Sequence, residues 1–271
     1  MNWQIEGPVL SALSISPLRS ALMSPRFHLR DLLVGAALTL LVVCLMVFGM
    51  RRARENISRA ACENNLRQIG AVFQTYHNSV GYYPNESPCK QNGSSGSFYY
   101  DTACFIQICD RDAAAASREE QAIREYLCPA RRGREVGPKA DYGYGAVSEF
   151  GDSVLGAARP ITRGMVNRAD GDAFTLMLSH KGVRPSQYDG SGPNDYDYYV
   201  KTTPNSRDPL SLHRDSDSLD MWQLIGSPHA DGAPSLFVDG HVAVLPYVGS
   251  DVLVNGVPLM AARWAYNDGN R

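Results

Sequence analysis

The chain has 271 residues, 44% of them hydrophobic and 20% charged, with a net charge of −2. That composition suits a folded protein and excludes an intrinsically disordered one. Residues 1–80 set eight arginines against Glu6, Asp31, Glu55 and Glu63, about +4, which leaves about −6 for the remainder; a mildly acidic domain lacks the basic patch that phosphate binding needs, so nucleic acid is not an expected partner.

Residues 1–25, with Pro8, Pro17 and Pro25, read as a weakly structured tail. Leu32–Met50 then runs for 19 residues without a charge, long enough to cross a hydrocarbon core of about 30 Å. A cleaved signal peptide is the competing reading. The run is too long for one, and Arg51, Arg52 and Arg54 follow it where a small-residue cleavage site would stand, so an uncleaved span is predicted. Arginines flank the span on both sides, and charge alone gives no orientation.

Beyond the span, Cys62, Leu66, Ile69, Phe73, Tyr76 and Val80 recur at steps of four and three, the stripe of a helix buried on one face. Gly81 and Pro84 supply its stop. Either one helix runs from about Leu32 to about Val80, or two helices are hinged at Arg51–Arg54.

The remaining 191 residues suffice for one core. Gln91–Ser97 reads as a loop, Ala113–Tyr126 as a short helix, Phe174–Leu178 as an apolar strand after the Asp170–Gly171 turn, and Ser186–Asp220 as a long loop or insertion. Ser235–Val238 and His241–Leu245, joined by Asp239–Gly240, predict a hairpin with a two-residue type I′ turn. The expected fold class is α+β: a long N-terminal helix, half transmembrane and half amphipathic, packed on a mostly antiparallel β-sheet.

Candidate chemistry is sparse. Cys44 lies in the apolar run. Cys62, Cys89, Cys104, Cys109 and Cys128 are odd in number, so an oxidising compartment would allow two disulfides and a free thiol, with connectivity open. No spacing makes a paired zinc knuckle. His229 and Asp231, with Asp239 and His241, are metal-ligand types, but a turn aspartate and a strand histidine explain them as structure. Asp189, Asp195 and Asp197 offer calcium a loop without the closing glutamate of an EF-hand, so solvated acids are the expectation. Ser179–His180 and Ser211, His213 and Asp215 lack a G-x-S-x-G elbow, and no phosphate-binding glycine loop occurs. No catalytic, cofactor-binding or metal-ligating residue is therefore assigned, and no enzyme activity is expected.

Arg26-Phe27-His28-Leu29-Arg30-Asp31-Leu32-Leu33 resembles a decayed type IV prepilin motif, G-F-T-L-I-E-L-L. Cys62-Glu63-Asn64-Asn65-Leu66-Arg67-Gln68-Ile69-Gly70, Tyr76-His77 and Gly81-Tyr82-Tyr83-Pro84 resemble the start of a pseudopilin-like family that carries an H-x9-DG motif near its C-terminus; here His229 precedes Asp239-Gly240 by that spacing. Cys128-Pro129 and Ala169-Asp170-Gly171 resemble further blocks of that family. The resemblance implies a bacterial inner-membrane protein with a cytoplasmic tail (1–26), a pilin-like helix (27–80) and an extracytoplasmic β-rich domain (81–271). Its implied partners are the bilayer and itself or other pilin-like subunits of a type II secretion or type IV pilus-like assembly. Arg26 stands where the prepilin peptidase cuts after Gly, and Asp31 where pilins place the acid that pairs with a neighbour's amine. The expectation is therefore a permanently anchored structural protein. The alternative is an anchored module that binds a glycan or calcium through Tyr188–Tyr199, and an anchored hydrolase ranks behind it.

Overall fold

A computed structural model of the chain describes residues 29–86, 97–106, 122–146, 150–157, 159–192, 195 and 206–267. Arg26, Phe27, Cys89, Cys109, Asp197 and most of the predicted helix Ala113–Tyr126 lie outside the described residues, as do the side chains of Asp31 and Cys104. The chain divides into two compact units, Met1–Gly49 and Met50–Arg271.

Helix α1 spans Leu29–Val80, a segment free of proline. Its residues from Leu32 to Met50 present exposed apolar side chains on every face, with a mean hydropathy of 2.7, which makes this part a candidate single-pass membrane anchor. The second unit uses the other part of α1. Cys62, Leu66, Ile69 and Phe73 are wholly buried there, each apolar side chain contributing roughly 1.5–3 kcal/mol by transfer from water. Gly70 brings the helix close to the sheet: a Cβ at that position would stand 2.8 Å from a Leu236 methyl. The helix stops at Gly81, whose backbone takes a φ of +92° and donates to the His77 carbonyl at 2.7 Å.

The sheet is built from β1 (Tyr142–Gly145), β2 (Leu176–His180), β3 (Ser206–Arg214), β4 (Leu224–Ser227), β5 (Ala233–Phe237) and β6 (Val242–Leu245), in the order β4-β3-β1-β2-β5-β6. Pairings β1–β2, β2–β5 and β5–β6 are antiparallel; β1–β3 and β3–β4 are parallel. The α+β class holds, with a mixed sheet. Short helices α2 (Phe98–Ile106), α3 (Arg163–Arg168) and α4 (Leu259–Trp264) complete the layer with the small hairpin of β7 (Leu253–Val254) and β8 (Val257–Pro258). Phe98 packs edge-on against Phe73 with ring centres 5.8 Å apart. Trp264 lies so close over β1 that a Cβ at Gly145 would meet its ring at 2.6 Å.

Three sequence expectations are corrected. Ser186–Asp220 is not one long loop, because Ser206–Arg214 forms β3 between β4 and β1. Pro209 hid it: proline cannot donate to a ladder, and the register with β4 shifts between Asp208 and Leu212, around that residue. The strand read as Phe174–Leu178 starts at Leu176. The Asp239–Gly240 turn is not type I′, for only Gly240 has positive φ, +96°. The Gly240 amide donates to the Phe237 carbonyl at 3.0 Å and the Phe237 amide to the His241 carbonyl at 3.0 Å, the pattern of a type I turn closed by a glycine bulge. The positive-φ pair that a type I′ turn requires occurs instead at Asn255 (51°) and Gly256 (84°), between β7 and β8.

Candidate functional site

The chemistry-bearing side chains converge where α1 meets one end of the sheet. Cys62 projects from the buried stripe of α1. Cys128 follows the turn at Arg124–Tyr126 and is held by its amide, which donates to Asp141 Oδ2 at 2.7 Å, and by its carbonyl, which accepts from the amides of Arg131 (2.9 Å) and Arg132 (3.1 Å). His180 ends β2, opposite Tyr142 of β1. His229 lies in the loop between β4 and β5, its amide donating to Ser227 Oγ at 3.3 Å. All four side chains are fully buried, and their ligand atoms lie within 4.8 Å of one another.

The contacts inside the cluster are specific. Cys62 Sγ and Cys128 Sγ are 2.8 Å apart, and Cys128 Sγ is 3.7 Å from His229 Nε2. The opposite ring nitrogen, Nδ1, lies 3.1 Å from Glu55 Oε1, and the same carboxylate oxygen accepts the Ala230 amide at 3.0 Å. His180 meets His229 edge-on at 5.5 Å between ring centres and Tyr142 at 4.8 Å. Among the described residues the ring nitrogens of His180 and the Tyr142 hydroxyl make no hydrogen bond of good geometry; their looser polar neighbours are the Pro234 backbone and the Cys62 thiol. Burial pushes the Cys128 thiol well above its ordinary pKa, and the hydrogen bond with Cys62 adds to this. Burial also pulls His180 well down, with Arg131 and His229 reinforcing it. Cys128 is thus a thiol and His180 a neutral imidazole at pH 7.

A network of buried charge lies beside the cluster. Arg131 grips Asp215 with two bonds, Nε–Oδ2 at 2.8 Å and Nη2–Oδ1 at 3.0 Å, and donates to the carbonyls of Lys181, Gly226 and Asp141. Arg132 pairs with Asp195 and, at 2.6 Å, with Asp141. Burial alone would raise the Asp141 pKa, but Arg132 and Arg131 outweigh it and hold the carboxyl below its usual range. Burial, then the Arg207 charge, lowers Lys181 to about 7.

Other residues singled out from sequence fall elsewhere. His241 stacks on Phe237 at 4.2 Å and pairs with Asp239 at 2.6 Å. Asp231 pairs with Arg59 at 2.8 Å. Of the four residues weighed together as ligands, only His229 joins the buried donors. Asp195 is turned inward onto Arg132, and Asp189 accepts the Ser191 amide at 3.0 Å. Ser179 bonds Ser235 at 2.8 Å. Ser211 does meet His213 Nε2 at 2.8 Å, but Asp215 is taken by Arg131 and the Tyr188 hydroxyl. Sequence spacing missed Cys62, Cys128 and His180 as partners because the donors come from four separate segments. One signal was present: three of the blocks that carry the family resemblance each contain one of the donors, Cys62, Cys128 and His229.

The chain belongs to the family described as a protein of unknown function, DUF1559 (SBP_bac_10), whose model matches residues 51–192, more than half of the chain; its members are bacterial proteins that carry an N-terminal pilin-like prepilin motif. No curated protein and no solved structure gives a match.

Proposed function

We propose that this DUF1559 protein is a membrane-anchored, pilin-like structural protein of the bacterial inner membrane. Its N-terminus is cytoplasmic, and its β-rich domain lies in the periplasm or outside the cell. It acts by assembling with copies of itself or other pilin-like subunits, in an apparatus of the type II secretion or type IV pilus kind, and not by catalysis. The observation that carries this reading is the division of α1. Its part from Leu32 to Met50 is apolar and exposed on every face, and its part from Cys62 to Val80 buries one stripe in a folded domain. Helices apolar all round belong in lipid, and one-sided helices belong against a protein core. Arg26 leaves the anchor uncut.

Cys44 lies exposed in the anchor and provides the test. In intact cells, a bifunctional thiol reagent that enters the bilayer should give crosslinked multimers that Cys44→Ser abolishes, in protein that resists alkaline extraction. Retention in the membrane without crosslinks would reject assembly and keep the anchor. Release by alkali would reject the anchor. A mature N-terminus at N-methyl-Phe27, found by mass spectrometry, would reject the uncut form.

A further inference from the structure

We propose that Cys62, Cys128, His180 and His229 form a buried Cys2His2 site for a thiophilic divalent cation, and the donor chemistry points to zinc. Two sulfurs and two imidazoles are the soft and borderline donors that zinc takes tetrahedrally, and with no carboxylate among the four the set is wrong for calcium or magnesium. Four segments distant in sequence bring their ligand atoms within 4.8 Å of one another, and all four side chains are fully shielded from water.

Two further observations point to a ligand and not merely to a packed core. His180 is wholly buried, and beyond a backbone interaction at Pro234 its ring nitrogens find no hydrogen-bond partner of good geometry among the described residues. Buried polar groups are almost always satisfied, and a metal ion would complete this one. His229 has the arrangement of a metal-bound histidine. Nδ1 is 3.1 Å from the Glu55 carboxylate, which fixes the proton there and leaves the Nε2 lone pair on the side of Cys128, 3.7 Å away. A carboxylate behind a ligating imidazole orients the ring and raises its basicity.

The charge balance suits the burial. When M²⁺ binds, the two thiols form metal–sulfur bonds and release two protons, and the two imidazoles bind through lone pairs. Two thiolates and M²⁺ sum to zero, so the loaded centre brings no net charge into the interior. The sulfurs stand 2.8 Å apart, whereas tetrahedral thiolates at a Zn–S distance of about 2.3 Å lie roughly 3.7 Å apart; loading therefore parts them by about 1 Å. The rival state is a Cys62–Cys128 disulfide. It would use the two sulfurs and leave the two converging imidazoles out.

The test uses the full-length chain, extracted in detergent. Cells are first quenched with acid and alkylated, so that the in vivo state of Cys62 and Cys128 is read by mass spectrometry. Protein purified without chelator should carry one equivalent of zinc by elemental analysis. Replacement by cobalt(II) should give the thiolate charge-transfer and intense d–d bands of a tetrahedral centre. Cys128→Ser and His180→Ala should lose stoichiometric binding. Because those variants could fail to fold, Glu55→Gln is the conservative arm: it keeps the ligands and should weaken zinc affinity by about 10–100-fold with unchanged cobalt geometry. A quantitative Cys62–Cys128 disulfide in the quenched cells would overturn the proposal. So would reduced, folded wild-type protein that gives no tetrahedral cobalt spectrum, or zinc affinity unmoved by Glu55→Gln.

Discussion

Replacing Arg131 with methionine keeps a similar aliphatic stem and removes the guanidinium, whose side chain is 0% exposed, as against 2% for that of its partner Asp215. The change strips the two bonds to Asp215 and those to the carbonyls of Lys181, Gly226 and Asp141. Breaking a buried pair by removing one member leaves the other charge uncompensated, which costs about 3–5 kcal/mol, a large part of the roughly 5–15 kcal/mol that holds a domain folded. Urea unfolding of the detergent-solubilised chain, followed by the fluorescence of buried Trp222 and Trp264, measures it. With a slope of about 2–3 kcal/mol/M the midpoint should fall by roughly 1–2 M. Adding Asp215→Leu should recover part of the loss, since an apolar pair can replace a buried ion pair. The acid limb should also move. Arg131 helps Arg132 hold the Asp141 carboxyl down, a contribution present above the unfolded pKa near 3.8 and lost as pH falls through the folded value; without Arg131 that loss sets in at higher pH. A cost under about 1 kcal/mol, or an unmoved acid limb, would refute the view that this buried network fixes the loop carrying Cys128.

Lys181 acts with the same sign at the alkaline end. Its folded pKa of about 7 lies below the ordinary 10.5, so below pH 7 it is charged in both states and adds no slope, whereas between pH 7 and 10.5 only the unfolded chain holds the proton and stability rises with pH, by an amount on the order of 3–5 kcal/mol; Lys181→Met should flatten the rise in urea titrations from pH 7 to 10, and an unchanged slope would contradict the assignment. Glu55→Ala, which frees the Ala230 amide and His229 Nδ1, should cost about 1–2 kcal/mol by the same assay. Arg59→Ala, which breaks a pair whose Asp231 side is 61% exposed, should cost less than about 1 kcal/mol, and the reverse order would count against the docking role of Glu55. Gly240→Ala meets no atom within 4 Å, so its cost is the backbone strain of φ +96°, about 1–2 kcal/mol; thermal melting with no loss would mean that the turn is not as described.

The extent to which the sequence revealed this fold followed the range of the forces involved. The α1 stripe was readable because helical periodicity repeats locally, and Cys62, Leu66, Ile69 and Phe73 are buried as the steps of four and three require. The β5–β6 hairpin was readable from two apolar runs around Asp239–Gly240, but the turn type was not, since Asp-Gly suits both a type I′ turn and a glycine bulge. β3 was obscured by Pro209 and an Asp-rich approach, and its place between two parallel partners depends on contacts that no local pattern encodes. β1, written Tyr-Gly-Tyr-Gly, carries no alternation of apolar and polar residues because all four positions are buried. The cysteine–histidine cluster was invisible to spacing rules, which recognise ligands on one hairpin or one helix and not a site assembled from four segments.

The interval between His229 and Asp239-Gly240 has a physical reading in this fold. α1 is latched to the chain through β5 at two points. Glu55 holds His229 and the Ala230 amide before the strand begins, and Gln74 donates to the Val238 carbonyl at 2.8 Å after it ends. From Glu55 to Gln74 the helix advances about 28 Å at 1.5 Å per residue. The segment from His229 to Val238 covers that stretch with bends at Ala230 and Asp231 and then the five residues of β5. Between the latches Gly70 lets Leu236 approach the helix axis. A histidine separated by nine residues from an Asp-Gly turn therefore sets the interval between the two latches, with its ring delivered beside the cysteine of the same helix and Gly240 reversing the chain where the contact ends.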